Sequence, residues 1–552
     1  MSGILGTALS GLMAFQRSLD TTSHNIANVN TDGYSRQRVE LGTRPAEFTG
    51  AGYIGQGVNI AAVSRSYDQF ITNQLTSSTS AFAETNTLST LASQVDNITS
   101  NEVTGLSPAL KSFFNAVNEV ANDPSSLPAR QVMVSEAGSL TQQFNTLSSR
   151  FEDLRKQTNN QMQASVDNVN AYAAGIATLN SQIAAASNGT SGAPNDLMDQ
   201  RDALVAKLAE QVSVSTITQQ DGSVSVFIGQ GQSLVLGVSA TKLSLAGSNA
   251  DSSHQNILMG GQDISKQITG GELSGALKFR DTVLDPAQQQ LGLVAAGFAV
   301  QFNAVHTTAA FDLNGVAGIP MFGLGAVPVV ASLALGSTGG ITADYNPADI
   351  GNLNPSDYRL DYNGATYSLT RLSDNASINI GTPGTLPASV EGMIIKPATL
   401  PVGSPVGPSS FLIRPTFDAA KKMTALITDP SKIAAAGTTG GPGSPIPGDN
   451  TVALRLADLE KKSVLLDGKA TFNDAYVQLV AKVGTLTHAA KISSSAQEVL
   501  LNQAKQTREN LAGVNLDEEA ANLIKFQQSY QAAAKVISIA SSLFDTLIGA
   551  IR

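Results

Sequence analysis

Hydrophobic residues recur every seven positions at both ends of the chain. Near the C-terminus Leu516, Leu523, Tyr530, Ile537, Phe544 and Ile551 form one row, with Ala520, Gln527, Ala534, Ser541 and Ile548 as its companion. Near the N-terminus Leu5, Leu12, Leu19 and Ile26 alternate with Leu9, Gln16 and Ser23. Steps of four and three put both rows of a segment on one helix face and favour left-handed coiled-coil packing. Two such ends predict helices that pair with each other while the rest of the chain loops out between them. Gln16 and Gln527 either fix the register by hydrogen bonding or are tolerated polar seam positions.

The pattern between the ends changes period several times. The first helix is predicted over residues 4–27, stopped by Asn28, Asn30 and the Thr31, Asp32, Gly33 turn. Residues 34–41 alternate, with Arg36, Arg38 and Glu40 on one charged face of an extended segment. Arg36 and Arg38 are candidates for intersubunit ion pairs; the plain alternative is a solvated strand face. Helical periodicity is read over 61–209: Leu88, Leu91, Val95 and Ile98 mark one helix, Leu106, Leu110, Phe113 and Val117 a second. The longest spans 128–186, about 90 Å at 1.5 Å per residue, too long for a compact enzyme core. Another begins at Pro194. Alternation over 212–236, turning at Asp221 and Gly222, predicts a β-hairpin. Residues 273–306 look helical again. From 311 the chain is strand-like, most clearly where Tyr358, Leu360 and Tyr362 precede Asn363 and Gly364, and Ala365, Tyr367 and Leu369 follow. Residues 437–450 form a proline-punctuated linker, and helical periodicity returns over 452–511.

The expected architecture is mixed and multidomain, with nested discontinuous domains. Residues 1–50 and 511–552 form a terminal α-helical coiled-coil domain, disordered in the free monomer. Residues 51–310 and 451–510 form an elongated helical bundle with the β-hairpin near 212–236. Residues 311–450 form a β-rich outer domain that includes the linker.

Composition narrows the function. At 552 residues the chain exceeds one core, and only 14% of residues are charged. The 44 acidic against 34 basic residues give a net charge of −10, so no nucleic-acid partner is expected. Without Cys, disulfides and thiolate chemistry are unavailable. No secretory leader is visible. The most apolar stretches, 291–305 and 536–551, are short and interrupted by Gln301 and Asn303 and by Asp545, so no membrane insertion is expected.

Candidate chemistry is sparse, and neither catalytic, metal nor cofactor residues are assigned. His24, His254, His306 and His488 each stand alone, without zinc-ligand spacing. Asp312, Asn314 and Gly315 lack the remaining ligands of a calcium loop and read as an Asx-turn. Asp517, Glu518 and Glu519 read as the first turn of the last helix, with Asn515 as N-cap and Glu518 reaching back.

The run from Ala8 to Gln16, continued by Asn25, Asn28, Asn30, Gly33, Tyr34 and Arg36, resembles the signature of the axial proteins of the bacterial flagellar rod and hook. Within that group, residues 52–58, Arg65, Tyr67 and Phe70, residues 199–204, and the tail from Gly513 to Ala532 resemble the hook-associated protein 1 family. The resemblance implies a non-enzymatic structural subunit at the hook–filament junction. Copies would form a ring on the hook protein and receive hook-associated protein 3. Export would use the flagellar type III apparatus without leader cleavage, with a cytoplasmic export chaperone holding the C-terminal helix, and would place the chain in the extracellular flagellum. The alternatives are a hook or distal rod structural protein, or a flagellar scaffold whose β domain binds or adheres.

A mechanism follows from the stripes themselves. An isolated amphipathic helix is marginal in water, because nucleation is costly and its apolar face has nothing to bury against. Pairing within one chain does not cover the ordering entropy of both ends. Neighbouring subunits must supply the remainder, which couples folding of the ends to assembly.

Overall fold

The structure, a computed structural model, describes residues 2–48, 50, 52–101, 105–189, 193–248, 251–331, 340–397, 409–437 and 447–551. Helix α1 (Ser2–Ala27) ends where Asn28 turns its backbone N–H and its side-chain amide onto the His24 carbonyl, at 3.1 and 3.0 Å. The exit turn needs Gly33, at φ +83°, where a Cβ would press on Ala203 at 3.0 Å. Strand β1 (Gln37–Thr43) runs out, a two-residue hairpin of β2 (Glu47–Phe48) and β3 (Tyr53–Ile54) reverses the chain, and β4 (Val58–Arg65) returns antiparallel to β1, with Gln37 opposite Arg65. The helical pattern read from residue 61 therefore starts late. Residues 58–65 find a strand partner first, and Asp68 then caps α2 (Gln69–Thr99) by accepting from the Phe70 and Ile71 amides.

Helices α3 (Leu106–Asn122), α4 (Leu127–Gly189) and α5 (Asn195–Gln211) follow. At 63 residues α4 is about 95 Å long. Its apolar stripe shifts phase once, between Leu154 and Met162, and the two halves enter different cores.

The hairpin predicted near 212–236 is part of a larger unit. Strands β5 (Val214–Thr218), β6 (Val224–Ile228), β7 (Gln232–Leu236) and β8 (Ser239–Ala240) form one sheet in that order. Strands β9 (Leu243–Ser248), β10 (Asp251–Met259) and β11 (Gln262–Asp263) form another. The helix expected over 273–306 is α6 (Gly271–Phe279), a π-helical turn at Arg280–Leu284, and α7 (Asp285–Thr307).

The outer region carries β12 (Phe322–Gly323), β13 (Val329–Ala331), β14 (Ile341–Tyr345), β15 (Tyr358–Tyr362), β16 (Tyr367–Arg371), β17 (Ser377–Gly381), β18 (Ala388–Val390), β19 (Met393–Pro397) and β20 (Ser409–Ile413). After α8 (Ala419–Lys422) comes β21 (Thr424–Ala425), which pairs with β12. A five-stranded antiparallel sheet runs β13-β20-β15-β16-β17, beside a three-stranded sheet β14-β19-β18. Tyr362 pairs with Tyr367, so the Asn–Gly loop has four residues. Ala365, predicted in the strand, lies in the loop because the Asn363 carboxamide oxygen accepts from the Ala365 and Thr366 amides. Residues 438–446 of the predicted linker lie outside the described residues.

The helix expected over 452–511 is interrupted. Helix α9 (Thr451–Asp458) stops, residues 459–471 turn Leu465 into the core against Gly297, and Thr471 restarts α10 (Phe472–Ala512) with a capping box to Asp474. Helix α11 (Leu516–Ile551) closes the chain.

Two clusters of buried side chains hold the body. The larger joins α2, α3, the first half of α4, α7, α9 and α10 to the outer sheets, around Phe113, Phe114, Phe298, Phe302, Phe322 and Phe472, whose rings meet mostly edge to face. Met321, Phe322, Ile433 and Ala434 sit in it, so packing crosses the domain boundary read at 310/311. The smaller packs the second half of α4 and α5 on strands β5–β7, β9 and β10. Helices α1 and α11 belong to neither.

Candidate assembly interface

Helices α1 and α11 run antiparallel. Asn25 meets Glu519 at one end, and Ile4 shares a groove with Val536 towards the other. Leu5, Leu12, Leu19 and Ile26 are half-buried, as are Leu523, Tyr530 and Ile537. The companion rows differ from the sequence expectation by one residue. Leu9, Gln16 and Ser23 point outward in α1, as do Ala520, Gln527 and Ser541 in α11; the covered positions are Ala8, Phe15 and Thr22, and Glu519, Phe526, Ala533 and Ala540. A row repeating every seven leaves open whether its companion stands three or four residues on. In α1 the row with Ala8 and Thr22 turns inward, close to the facing backbone, and Leu9 stays 47% exposed. Ala534 is half-buried, Leu516, Phe544 and Ile548 are exposed, and the Ile551 side chain lies outside the described residues. The outward surface of the pair also carries Ile4, Met13, Ile524, Val536, Ile539 and Leu543.

Apolar exposure here is unusual for a water-facing helix pair. The C-terminal helical region holds an 18-residue window of mean hydropathy 1.4, long and apolar enough to cross a membrane by length and composition, and 6% of that window is buried. The interruption read at Asp545 does not break the helix, which continues upstream as one element.

A polar joint ties this pair to the body. The Asn25 amide uses all its hydrogen-bonding capacity. Its oxygen accepts from the Tyr34 hydroxyl (2.7 Å) and the Gln37 amide (2.9 Å), and its nitrogen donates to the Gln37 carbonyl (2.8 Å) and to Glu519 (3.2 Å). Arg36 donates to Glu519 at 2.7 Å and Glu518 at 2.6 Å, and its backbone N–H binds the Ala512 carbonyl. Burial works against the Arg36 charge, but the hydrogen bond with Glu518 and the Glu519 carboxylate outweigh it and hold its pKa above the usual value. Burial, then Asp196, Asp199 and Glu519, push the Tyr34 phenol far up, so it stays a donor.

The opposite side of the same ribbon meets three aspartates spaced by three along α5. Asp196 accepts from the Gln37 side chain (2.8 Å). Asp199 accepts from the Ser35 amide (2.9 Å) and pairs with Arg65 (2.7 Å), and Asp202 pairs with Arg65 at 2.7 Å. Burial opposes the Arg65 charge, and Asp202 with Asp199 restores it.

Arg36 is thus an intrachain partner of α11, not an outward intersubunit candidate, because residues 34–36 cross the corner between α10 and α11. Arg38 does face solvent, 4.0 Å from Glu40. Of the recurring motif, Asn25, Gly33, Tyr34 and Arg36 converge on the joint; Asn28 closes α1, and Asn30 is exposed in the turn. Asn515 caps α11 by accepting from the Asp517 and Glu518 amides, but Glu518 reaches to Arg36 instead of back to its cap. Asp312 forms the Asx-turn, accepting from the Asn314 and Val316 amides. The sequence places Arg65 within a family motif and Asn195 near a helix start, but gives neither them nor Gln37 a contact at the joint. The visible signal was the three-residue spacing of acids in α5, read only as part of a motif.

Comparisons with known proteins agree along the whole chain. Family models match for the flagellar hook-associated protein FlgK helical domain over residues 92–322, the flagella basal body rod protein over 5–34, the flagellar basal body rod FlgEFG protein C-terminal over 505–550, and the flagellar hook-associated protein 1 D2-like domain over 334–415. Flagellar hook-associated protein 1 of Escherichia coli is 34% identical, over 99% of this chain and 100% of that protein. Its Bacillus subtilis counterpart is 26% identical, over 99% of this chain and 97% of that protein. The solved flagellar hook junction protein FlgK from Burkholderia pseudomallei superimposes with a TM-score of 0.70 at 25% identity, covering 80% of this chain and all of that one. The chain belongs to the flagellar hook-associated protein 1 family.

Proposed function

We propose that this chain is a structural, non-enzymatic subunit of the bacterial flagellum that joins hook to filament, working through its two terminal helices. The observation that carries this reading is the α1–α11 pair. It stands outside both cores of the body and keeps Leu9, Met13, Ile539, Leu543 and Phe544 exposed. Such a surface is costly in water and is satisfied when neighbouring subunits cover it. The exposed apolar window of α11 serves that contact, not membrane insertion.

In this account the domains are nested. Residues 1–50 and 511–552 order only on assembly, the helical body and outer β region are folded beforehand, and the joint at Asn25, Arg36 and Glu519 connects them. Copies form a ring with hook protein on one side and hook-associated protein 3 on the other. Before assembly a cytoplasmic chaperone covers the C-terminal helix, and the type III apparatus exports the chain without leader cleavage. Electron microscopy of cells lacking this chain tests the reading. Hooks without filaments, with filament protein in the medium, are expected; normal filaments on those hooks would overturn it.

A further inference from the structure

The β2–β3 hairpin is a wall with two unlike faces. Glu47 stands opposite Ile54, and Phe48 opposite Tyr53. Adjacent residues along a strand project to opposite faces, so the two pairs look in opposite directions. Glu47 and Ile54 line a groove of about 900 Å³ between α1 and α11, floored by Gly3, Thr7, Ala8, Gly11, Ala532 and Ala533. The floor is bare: a Cβ on Gly3 would meet nothing within 4 Å, and one on Gly11 only the Phe15 ring at 3.7 Å. On the other face the Phe48 and Tyr53 rings pack 5.4 Å apart and remain 64% and 76% exposed. Neither lines the groove of its own chain.

Aromatic side chains seated in pockets are the strongest anchors of protein interfaces. One chain here carries both the knob and the hole, on opposite sides of one wall. That is the geometry of a head-to-tail contact, which repeats as a ring or an open helix according to the rotation between copies. We propose that the Phe48–Tyr53 face of each subunit seats in the α1–α11 groove of the adjacent copy. Glu47 at the rim offers an acceptor to the incoming Tyr53 hydroxyl. The proposal rests on the reading of this chain as a ring-forming junction subunit.

The absence of Cys from the sequence makes a clean test. Cells carrying Tyr53→Cys with Ala532→Cys in place of the natural chain are grown, their hook–filament structures isolated and oxidised, and the protein run without reductant. A ladder of covalent oligomers from the double variant, with monomer alone from each single variant, is expected. Filament-bearing hooks whose double variant stays monomeric, or is linked to a different protein, would overturn the contact while leaving the junction reading intact. Absence of the natural chain from isolated hook–filament structures would overturn the junction reading instead. Independently, Phe48→Ser with Tyr53→Ser should lower incorporation at least tenfold with the circular dichroism of the free chain unchanged. Incorporation at the natural level would overturn the contact.

Discussion

The body and the terminal helices are built from similar apolar residues and use them in opposite ways. In the body, Phe113, Phe298 and Phe472 are fully enclosed by side chains of the same chain. In the terminal pair, Phe544 is 46% exposed and the covered positions are mainly Ala, Ser and Thr. Small residues let α1 and α11 approach without enclosing the large ones. On the proposed reading the body is complete as a monomer, and the ends are completed by other molecules. The joint around Asn25 lies between these regimes, held by polar groups whose partners all come from one chain.

The contrast can be broken at several points. Removing residues 516–552 should abolish incorporation into the flagellum while the body keeps its cooperative thermal transition; normal incorporation would show that the ends are dispensable. Phe298→Ala should destabilise the body by about 3–5 kcal/mol in denaturant unfolding, because the cavity is walled by other rings. Phe544→Ala in the same experiment should change little and should instead reduce incorporation.

A pH effect of similar size is expected in the body. His306 is buried, its Nδ1–H donates to the Ile319 carbonyl, and its Nε2 accepts from the Ala434 amide, so it packs as the neutral ring. Burial first, and the Arg130 charge, push its pKa down to about 4, against a backbone hydrogen bond to Ile319 that works the other way. The unfolded chain binds the proton more readily, so stability is fully present above pH ~6.5 and is lost as pH falls towards 4, by about 3 kcal/mol. His306→Gln should flatten the stability profile in that window. At the joint, Glu519→Gln should lower incorporation into the flagellum severalfold while leaving the thermal transition of the body unchanged, because Arg36 loses its buried partner once the ends order. The exposed pair Arg38 with Glu40 should matter least, within about 0.5 kcal/mol for Arg38→Ala.

Much of this was legible in the sequence where one periodicity ran long enough. The rows at Leu5 and Leu523, the extent of α4 and the hairpin at Tyr362 follow from spacing alone. The companion row does not, because steps of three and four both preserve a stripe and backbone approach decides between them. Strand β4 was hidden because residues 61–65 become a strand only when β1 supplies a partner. The break at 459–471 exists to place Leu465 against Gly297, a contact distant in sequence. The joint was least legible, since Asn25, Gln37, Asp199 and Glu519 acquire meaning only when four segments meet.

Hydrogen exchange on the purified, unassembled chain tests the central claim most directly. Rapid exchange along α1 and α11, with slow exchange in α3, α4 and α7, is the predicted result. Protection of α11 equal to that of α7 would contradict it.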